Sequence, residues 1–375
     1  MKKITALFLA VVMLLSITAC GTAATSAASD ASDAAVSAAD SGAVSTGDEA
    51  SEPAAESAEA AAPVEESAEV NEGTEVNIAV LAGPTGIGAV SLMEGSDNGE
   101  TVNTYNFTIA SENSEVTAGL TNGSFDIAAV ATNVAANLYN KTGGAIRICA
   151  LNTYGVLYIL ENGTSVNSIQ DLVGRTIYAV GQGANPEYVL EYILTRNGLT
   201  WSADGSDADV QIEFMDSETL TAGMASGMYD LCMLPVPAVT SVEVQNSDVR
   251  TALNLTDEWN TVAEDGSLTM GCIVVRTEFA EQHPEAVAAF LTEYAASIAS
   301  VTGDVSHASE LCESYGIVPK AAIAAKAIPD CNLCCVTGAD IQSVIEPYYQ
   351  VLFNANPDSI GGAVPDEAFY YIASE

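Results

Sequence analysis

Two glycine-containing loops are the places in the sequence where backbone groups could most readily contact a ligand. The first, Gly83-x-x-x-x-Gly88, has the glycine spacing of a phosphate-binding loop. Ala89 and Val90 stand where such a loop needs Lys and Ser or Thr, and Ser91 replaces the third glycine of a dinucleotide-binding loop. The first loop therefore offers backbone N–H groups and the Thr85 hydroxyl for binding, but does not indicate nucleotide hydrolysis.

The second loop, Gly181-Gln182-Gly183-Ala184-Asn185, precedes Pro186, a residue typical of the first turn of a helix. A tight turn that serves packing alone is the alternative interpretation of each loop. Both loops follow the first strand of a series of alternating elements, and this repetition favours binding.

Cysteine and histidine supply the other candidate chemistry. Cys331-Asn332-Leu333-Cys334-Cys335 has part of the spacing of a zinc site, but a further ligand would have to come from His283 or His307, the two histidines of the chain. Both histidines lie in helical segments among surface-type residues, so no Ser-His-Asp or Cys-His catalytic group is indicated. Apolar strand segments contain Cys149, Cys232 and Cys272. We interpret the cysteines as structural and expect no metal and no cofactor.

Charge excludes one class of partner. The 375 residues contain 50 acidic and 10 basic side chains, a formal net charge of −40. Residues 76–375 keep 37 acids against 8 bases, a net charge of −29. Because nucleic-acid binding depends on neutralising phosphates with Lys and Arg, we expect no nucleic-acid partner.

The N-terminal residues have the pattern of an export signal. Lys2 and Lys3 precede an apolar run of about a dozen residues, which is too short for a stable membrane span. The run ends in Ile17-Thr18-Ala19-Cys20, which resembles a bacterial lipobox. The sequence predicts a signal peptide over residues 1–19 and a lipid anchor on Cys20. An ordinary cleaved signal that happens to contain Cys is the alternative.

Residues 20–75 are composed almost wholly of small, polar and acidic residues and contain no Lys or Arg. Such a segment has no apolar stripe to bury, so we predict a disordered acidic tether. A coil of this length spans roughly 40 Å.

From residue 76 apolar runs alternate with helical patterns. Alternation of this kind indicates an α/β fold with mainly parallel sheets flanked by helices, here as two lobes. Pro284 begins the most regular amphipathic helix of the chain. The predicted strands are 76–82, 105–110, 127–131, 146–151, 176–180, 211–215, 231–234 and 270–276.

Several motifs together resemble the substrate-binding lipoproteins of bacterial ABC importers with the type II periplasmic-binding-protein fold. They are Gly83-Pro84-Thr85-Gly86, Gly119-Leu120-x-x-Gly123-x-x-Asp126-Ile127-Ala128, Asp171-Leu172-x-Gly174-Arg175-Thr176-Ile177 and His283-Pro284-Glu285-Ala286-Val287-x-Ala289-Phe290-Leu291. The sequence is most similar to the group that binds sulfonates, nitrate and thiamine precursors, which also includes menaquinone-pathway enzymes.

The resemblance implies a lobe formed by residues 75–156 and 270–375, a second lobe formed by residues 157–269, and a cleft between them. It also implies a monomer with a small-molecule solute and an ABC permease as partners. The implied ligand-binding residues are Pro84, Thr85, Gly86, Thr132, Asn133, Asn152, Thr153, Gln182, Gly183, Ala184, Asn185 and Pro235.

The charge departs from what this group would suggest. Sulfonate and nitrate are anions, yet the proposed loops contain no Lys or Arg. Helix N-termini could still hold an anion, but a neutral or cationic heterocycle fits the charge at least as well.

We therefore expect a membrane-anchored, extracytoplasmic solute receptor that closes its lobes on a ligand without covalent chemistry. The alternatives are an enzyme on the same two-lobed scaffold, which needs a general base in the cleft, and an adhesion or scaffolding protein.

Overall fold

The computed structural model of the chain describes residues 73–263 and 266–373. The predicted signal peptide, Cys20 and residues 21–72 of the predicted tether lie outside the described residues. The described residues all belong to one compact unit.

Strands and helices alternate along the first part of the folded chain. They are β1 (Glu75–Leu81), α1 (Pro84–Ile87), α2 (Val90–Asp97), β2 (Thr104–Ala110), α3 (Asn113–Asn122), β3 (Ile127–Ala131), α4 (Thr132–Thr142) and β4 (Ile146–Tyr154).

The middle of the chain continues the alternation. Its elements are β5 (Leu157–Asn162), β6 (Arg175–Ala179), α5 (Asn185–Arg196), β7 (Trp201–Ser202), β8 (Val210–Phe214), α6 (Ser217–Ala225), β9 (Leu231–Pro235), α7 (Ala238–Gln245), β10 (Val249–Asn254) and α8 (Leu255–Val262).

The last part is mostly helical. It contains β11 (Thr269–Arg276), α9 (Thr277–Gln282), α10 (Pro284–Gly303), α11 (Val305–Ser314), α12 (Ala321–Ala327), β12 (Leu333–Thr337) and α13 (Asp340–Ala355). Short 3₁₀ turns lie at Ile169–Leu172, Ile328–Cys331, Pro357–Ile360 and Glu367–Phe369.

The strands form two six-stranded sheets, each flanked by helices. The first sheet has the order β12-β4-β11-β3-β1-β2, and the second has the order β10-β5-β9-β6-β8-β7. We call the part of the chain built on each sheet the first lobe and the second lobe. This architecture confirms the predicted two-lobed α/β fold.

Both sheets are mixed, whereas the sequence predicted mainly parallel sheets. β1 is parallel to β2 and β3, and β6 is parallel to β8 and β9. β11 is antiparallel to β3 and β4, and β5 is antiparallel to β9 and β10. The reason is the same in both lobes. The first strand formed after the chain crosses from the other lobe, β11 in the first lobe and β5 in the second, runs antiparallel to both of its neighbours.

α10 confirms the amphipathic helix predicted to begin at Pro284. Its buried face includes Phe290 and Tyr294, whose rings stack 5.5 Å apart, and Ile298. Among the described residues, α10 is the one helix with the length and apolar composition of a membrane span. Its buried aromatic face is that of a core helix in the first lobe.

Candidate functional site

Polar side chains are buried at one edge of the first sheet, where it meets the second lobe. β11 lies between β3 and β4 and pairs Gly271 with Ala131 on one side and with Thr153 on the other. The ends of these three strands therefore bring polar residues together. We call the resulting group, together with one residue of α5, the interlobe polar cluster: Thr132, Asn133, Asn152, Thr153, Asn185 and Thr269, each at most 6% exposed.

The cluster contains a hydrogen bond between the lobes. The Asn185 Nδ2 of α5 lies 3.1 Å from the Thr132 Oγ1 of α4. The Thr132 hydroxyl lies 2.8 Å from the Thr269 carbonyl oxygen, which can only accept, so the single hydroxyl proton points there. Thr132 must then accept from Asn185, and this fixes the orientation of the Asn185 amide. Its Oδ1 faces away from Thr132, is buried and has no hydrogen-bond partner.

A second set of hydrogen bonds holds the first glycine-containing loop against the cluster. Asn152 Nδ2 donates to the Thr85 carbonyl oxygen at 3.2 Å and to the Tyr294 hydroxyl at 3.1 Å. Gly271 packs against Asn152, and a larger residue would not fit there, because a Cβ at position 271 would lie 2.6 Å from Asn152 Oδ1. The structure thus brings together Thr85, Asn152 and Thr153, three of the predicted ligand-binding residues.

A cavity of about 590 Å³ opens between the lobes beside the first loop. We call it the interlobe cavity. The first lobe contributes Ala82–Pro84 and side chains between Ile317 and Ile323, and the second lobe contributes Pro235–Ala238 with faces of α6 and α7. The predicted residues Pro84 and Pro235 both line it, and Pro84 is adjacent in the chain to Thr85. A volume of this size is ordinary for a small-molecule site.

Asn133 and Gly183, two other predicted residues, line a different opening. This outer groove, of about 740 Å³, lies along the exposed faces of α3 and α4 and also includes Lys141. The structure thus divides these predicted residues between two openings.

The remaining predicted residues have different surroundings. Gln182 is exposed and lines a separate surface depression with Trp201 and Asp204. Gly86 is buried in α1, where a Cβ would lie 2.3 Å from the Leu81 carbonyl oxygen, so its glycine is required for packing. Ala184 is half-buried and is the N-cap of α5.

Sequence reasoning missed several residues of this interface. Thr269 belongs to the polar cluster, the Tyr349 hydroxyl donates to the Thr132 carbonyl oxygen at 2.9 Å, and Glu218 lines the interlobe cavity. Glu218 follows β8 by four residues, a position of the same kind as Thr132 after β3, but Thr269 begins a strand and Tyr349 lies inside a helix, so the sequence contained no local signal for those two.

Three arginines of the folded part pair with carboxylates away from the interlobe cavity. Arg250 pairs with the buried Glu161 at 2.8 Å, Arg276 pairs with Asp126 at 2.9 Å, and Arg147 pairs with Glu281. No Lys or Arg of residues 73–263 and 266–373 lines the interlobe cavity.

Most of the described cysteines lie in the core, and both histidines lie at the surface. Cys149, Cys232 and Cys272 are fully buried in strands, and burial raises the pKa of the Cys232 thiol to about 12. All seven described cysteines are free thiols. His283 and His307 are exposed, and His307 pairs with Glu94, which raises the pKa of the imidazole. Across the described ranges, no group of three or more His, Cys, Asp or Glu side chains is placed to hold a metal ion.

Comparison with protein families identifies the class. Residues 99–326 match the family model described as ABC transporter, phosphonate, periplasmic substrate-binding protein. The chain therefore belongs to this family of extracytoplasmic ABC-transporter substrate-binding proteins. Comparison with curated protein sequences gives no match.

Solved structures share the fold at low sequence identity. An ABC transporter protein from Parabacteroides distasonis is 21% identical, with a TM-score of 0.67 over 80% of this chain and 100% of that one. The periplasmic aliphatic sulphonate binding protein SsuA from Escherichia coli is 14% identical, with a TM-score of 0.62 over 80% of this chain and 93% of that one. The alkanesulfonate-binding protein SsuA from Xanthomonas axonopodis, bound to MOPS, is 13% identical, with a TM-score of 0.57 over 79% and 96% of the two chains.

Proposed function

We propose that this chain is a lipid-anchored solute receptor that holds a small organic solute between its two lobes and delivers it to an ABC permease. The observation that carries the proposal is the interlobe polar cluster, because residues of both lobes meet there with buried side-chain oxygens that have no protein partner. Asn133 Oδ1, Asn185 Oδ1 and Thr269 Oγ1 are such atoms. Buried polar groups are almost always hydrogen-bonded, so these atoms suit a bound solute.

Lobe closure is the proposed mechanism of capture. Thr132 and Asn185 link the lobes in the cluster, and Asn356 Nδ2 donates to the Tyr188 hydroxyl at 3.1 Å between the end of α13 and α5. The Tyr158 hydroxyl of β5 also donates to the Asp330 carbonyl oxygen at 3.1 Å. A small number of such bonds among the described residues holds the lobes, so a solute that contacts both lobes would shift the equilibrium towards closure. The proposed binding residues are those predicted from the sequence, with Thr269 and Glu218 added.

The proposed receptor binds its solute without catalysing a reaction. The two histidines are exposed, His283 between α9 and α10 and His307 in α11, and neither lines the interlobe cavity or the outer groove. The proposed chemistry is therefore hydrogen bonding and burial, with the solute released unchanged.

Solute binding is tested by thermal denaturation of the full-length protein against a panel of small metabolites of different charge. A true ligand stabilises the folded state by mass action, by about 2.7 kcal/mol at one hundred times its Kd. For a folded part of this size we expect a rise in Tm of about 5 °C. If no solute of any charge raises the Tm, the receptor proposal is wrong.

The lipid anchor is tested by replacing Cys20, whose lipidation would attach the protein to the membrane through its tether. We expect Cys20→Ser to move nearly all of the protein from the membrane fraction to the soluble fraction, because the variant lacks the thiol that would carry the lipid chains. Stable attachment requires two or more lipid signals, and this change removes those that Cys20 would supply. Cys334→Ser is the matched control, since that thiol is half-buried in the folded part. Membrane association that survives Cys20→Ser would contradict the proposed anchor.

A further inference from the structure

The outer groove reaches both the interlobe polar cluster and the second lobe. Asn133, a member of the cluster, lines this groove of about 740 Å³. Gly183 of the second lobe also lines it, and Asn185 of the same loop bonds to Thr132 at the start of α4. None of the six cluster residues, all of them described, lines the interlobe cavity. The outer groove is therefore an opening in which a solute can meet a cluster residue and both lobes.

Two buried side chains of the groove have oxygens without a partner. Asn133 is 6% exposed and Ser359 is 8% exposed, and Asn133 Oδ1 and Ser359 Oγ accept or donate no hydrogen bond. One turn further along α4, by contrast, Asn137 Nδ2 donates to the Asp358 carbonyl oxygen at 2.9 Å. Because buried polar groups are almost always hydrogen-bonded, the unpartnered oxygens suit a polar solute.

The direction of the strands places further polar side chains at the same end of the groove. β2 and β3 both run parallel to β1, so the helices that follow them, α3 and α4, begin at the same edge of the first sheet. Ser114 and Thr117 in the first turns of α3 therefore lie at the end of the groove that contains Asn133. Lys141, in the last turn of α4, lies at the other end, about 12 Å along the helix.

The α3 hydroxyls that line the groove present acceptors to it. The Ser114 hydroxyl donates to the Glu112 carboxylate at 3.1 Å. The Thr117 hydroxyl donates to the Ser114 carbonyl oxygen at 3.1 Å, and the Thr121 hydroxyl donates to the Thr117 carbonyl oxygen at 2.7 Å. A hydroxyl has one proton, so the lone pairs that remain can only accept. A solute bound against this wall has to donate O–H or N–H groups, which the oxygens of an ionised sulfonate or phosphonate cannot do.

The charges at the groove balance each other. Among the described residues that line it, Lys141 and Asp358 have charged side chains, and both are exposed. The N-terminus of α5 would attract an anion, but Glu187 in its first turn accepts a hydrogen bond from the Gly183 amide. That helix end therefore already has a negative partner. The lining as a whole favours neither an anion nor a cation.

We propose that the outer groove binds an uncharged polyhydroxylated solute, a sugar or polyol, whose hydroxyls donate to the α3 hydroxyl oxygens and to Asn133. Ala118, Val134 and Leu138 also line the groove and suit the C–H faces of such a molecule. This inference rests on the proposed receptor function and names its solute class. It differs from the phosphonate of the family description and from the sulfonates of the structural relatives.

The test compares probes that share one hydroxylated ring and differ in charge. Glucose, glucosamine and glucuronate form one such set, and other polyols of the metabolite panel, with their amine and acid counterparts, extend it. We expect the uncharged member of the best-binding set to have a Kd at least tenfold below those of its charged counterparts, by isothermal titration of the full-length protein. An equal or lower Kd for a charged member would overturn the inference while the receptor function stands. The same holds if only panel solutes without hydroxyl groups bind.

Three matched threonine variants show which opening holds the solute. Thr117→Val removes a half-buried hydroxyl of the outer groove and should weaken binding about fivefold, the scale of one hydrogen bond. Thr292→Val is the control, because this exposed threonine of α10 lines neither opening and also donates to a carbonyl of its own helix. Thr221→Val removes a half-buried hydroxyl that lines the interlobe cavity.

The pattern of the three variants decides the location. Weaker binding in Thr117→Val alone supports the outer groove. If Thr221→Val weakens binding and Thr117→Val does not, the solute lies in the interlobe cavity and the inference is wrong. If no probe or panel solute binds to the wild type, the receptor proposal fails together with it.

Discussion

The Glu161→Ala variant is expected to lose about 3 kcal/mol of unfolding free energy at pH 7, the lower end of the range for breaking a buried ion pair. The Glu161 carboxylate is 1% exposed and accepts from the Ser165 and Val166 amides and from Arg250. Removing it leaves these donors without an acceptor. The loss is moderated because Arg250 keeps a third of its side chain in solvent and still donates to the Val166 carbonyl.

The same variant should change the acid dependence of stability. Burial raises the pKa of Glu161, but hydrogen bonds from Ser165 and Val166 and the charge of Arg250 outweigh it, so the pKa lies below its usual value. A depressed folded-state pKa contributes stability above the unfolded pKa of about 4.3, and this is lost as the pH falls through the folded value. We expect the difference between wild type and variant to narrow below about pH 4.

Urea denaturation at a series of pH values measures both effects. Glu213→Ala, which removes an exposed carboxylate from β8 of the same lobe, is the control and should change stability by less than about 0.5 kcal/mol. An equal loss in the control, or a difference that does not narrow in acid, would contradict the stabilising role assigned to Glu161.

The second large effect concerns binding. We expect Asn185→Ala to weaken the best solute of the panel by about tenfold to a hundredfold, because a buried hydrogen bond to the ligand and the bond to Thr132 are both lost. Isothermal titration measures the change, and denaturation checks that the variant stays folded. Asn106→Ala, at an exposed position of β2, is the matched control. An affinity within twofold of wild type would exclude Asn185 from the site.

Much of the fold was predictable because its strands are short apolar runs. The predicted segment 127–131 coincides with β3, and the predicted helix beginning at Pro284 is α10. β5, β7, β10 and β12 were not predicted as strands. β12 is a run of five residues, most of them half-buried, within a helical region, so its pattern does not alternate. β5, β10 and β12 pair antiparallel, and so does the predicted strand β11, whose direction an apolar run does not reveal, so the sheets were expected to be mainly parallel.

The candidate site was predictable only where it follows strand ends. Thr132 follows β3 directly, and Asn152 and Thr153 close β4, so their positions followed from the general location of ligands at the carboxyl ends of strands. Glu218 and Thr269 approach from a helix of the second lobe and from the start of a strand. Their proximity depends on how the lobes are arranged, which no local pattern encodes.

The two lobes also differ in how much of the chain must be available before each can be completed. Every strand of the second sheet lies between Leu157 and Asn254, one uninterrupted stretch. In the first sheet, β4 lies between β11 and β12, which follow it by more than a hundred residues. During synthesis and export from the N-terminus, the second lobe can therefore assemble while the first lobe still waits for its last two strands. The polar residues that follow β3 and close β4 acquire their final neighbours only when β11 is inserted between these strands, so the candidate site is among the last parts of the molecule to form.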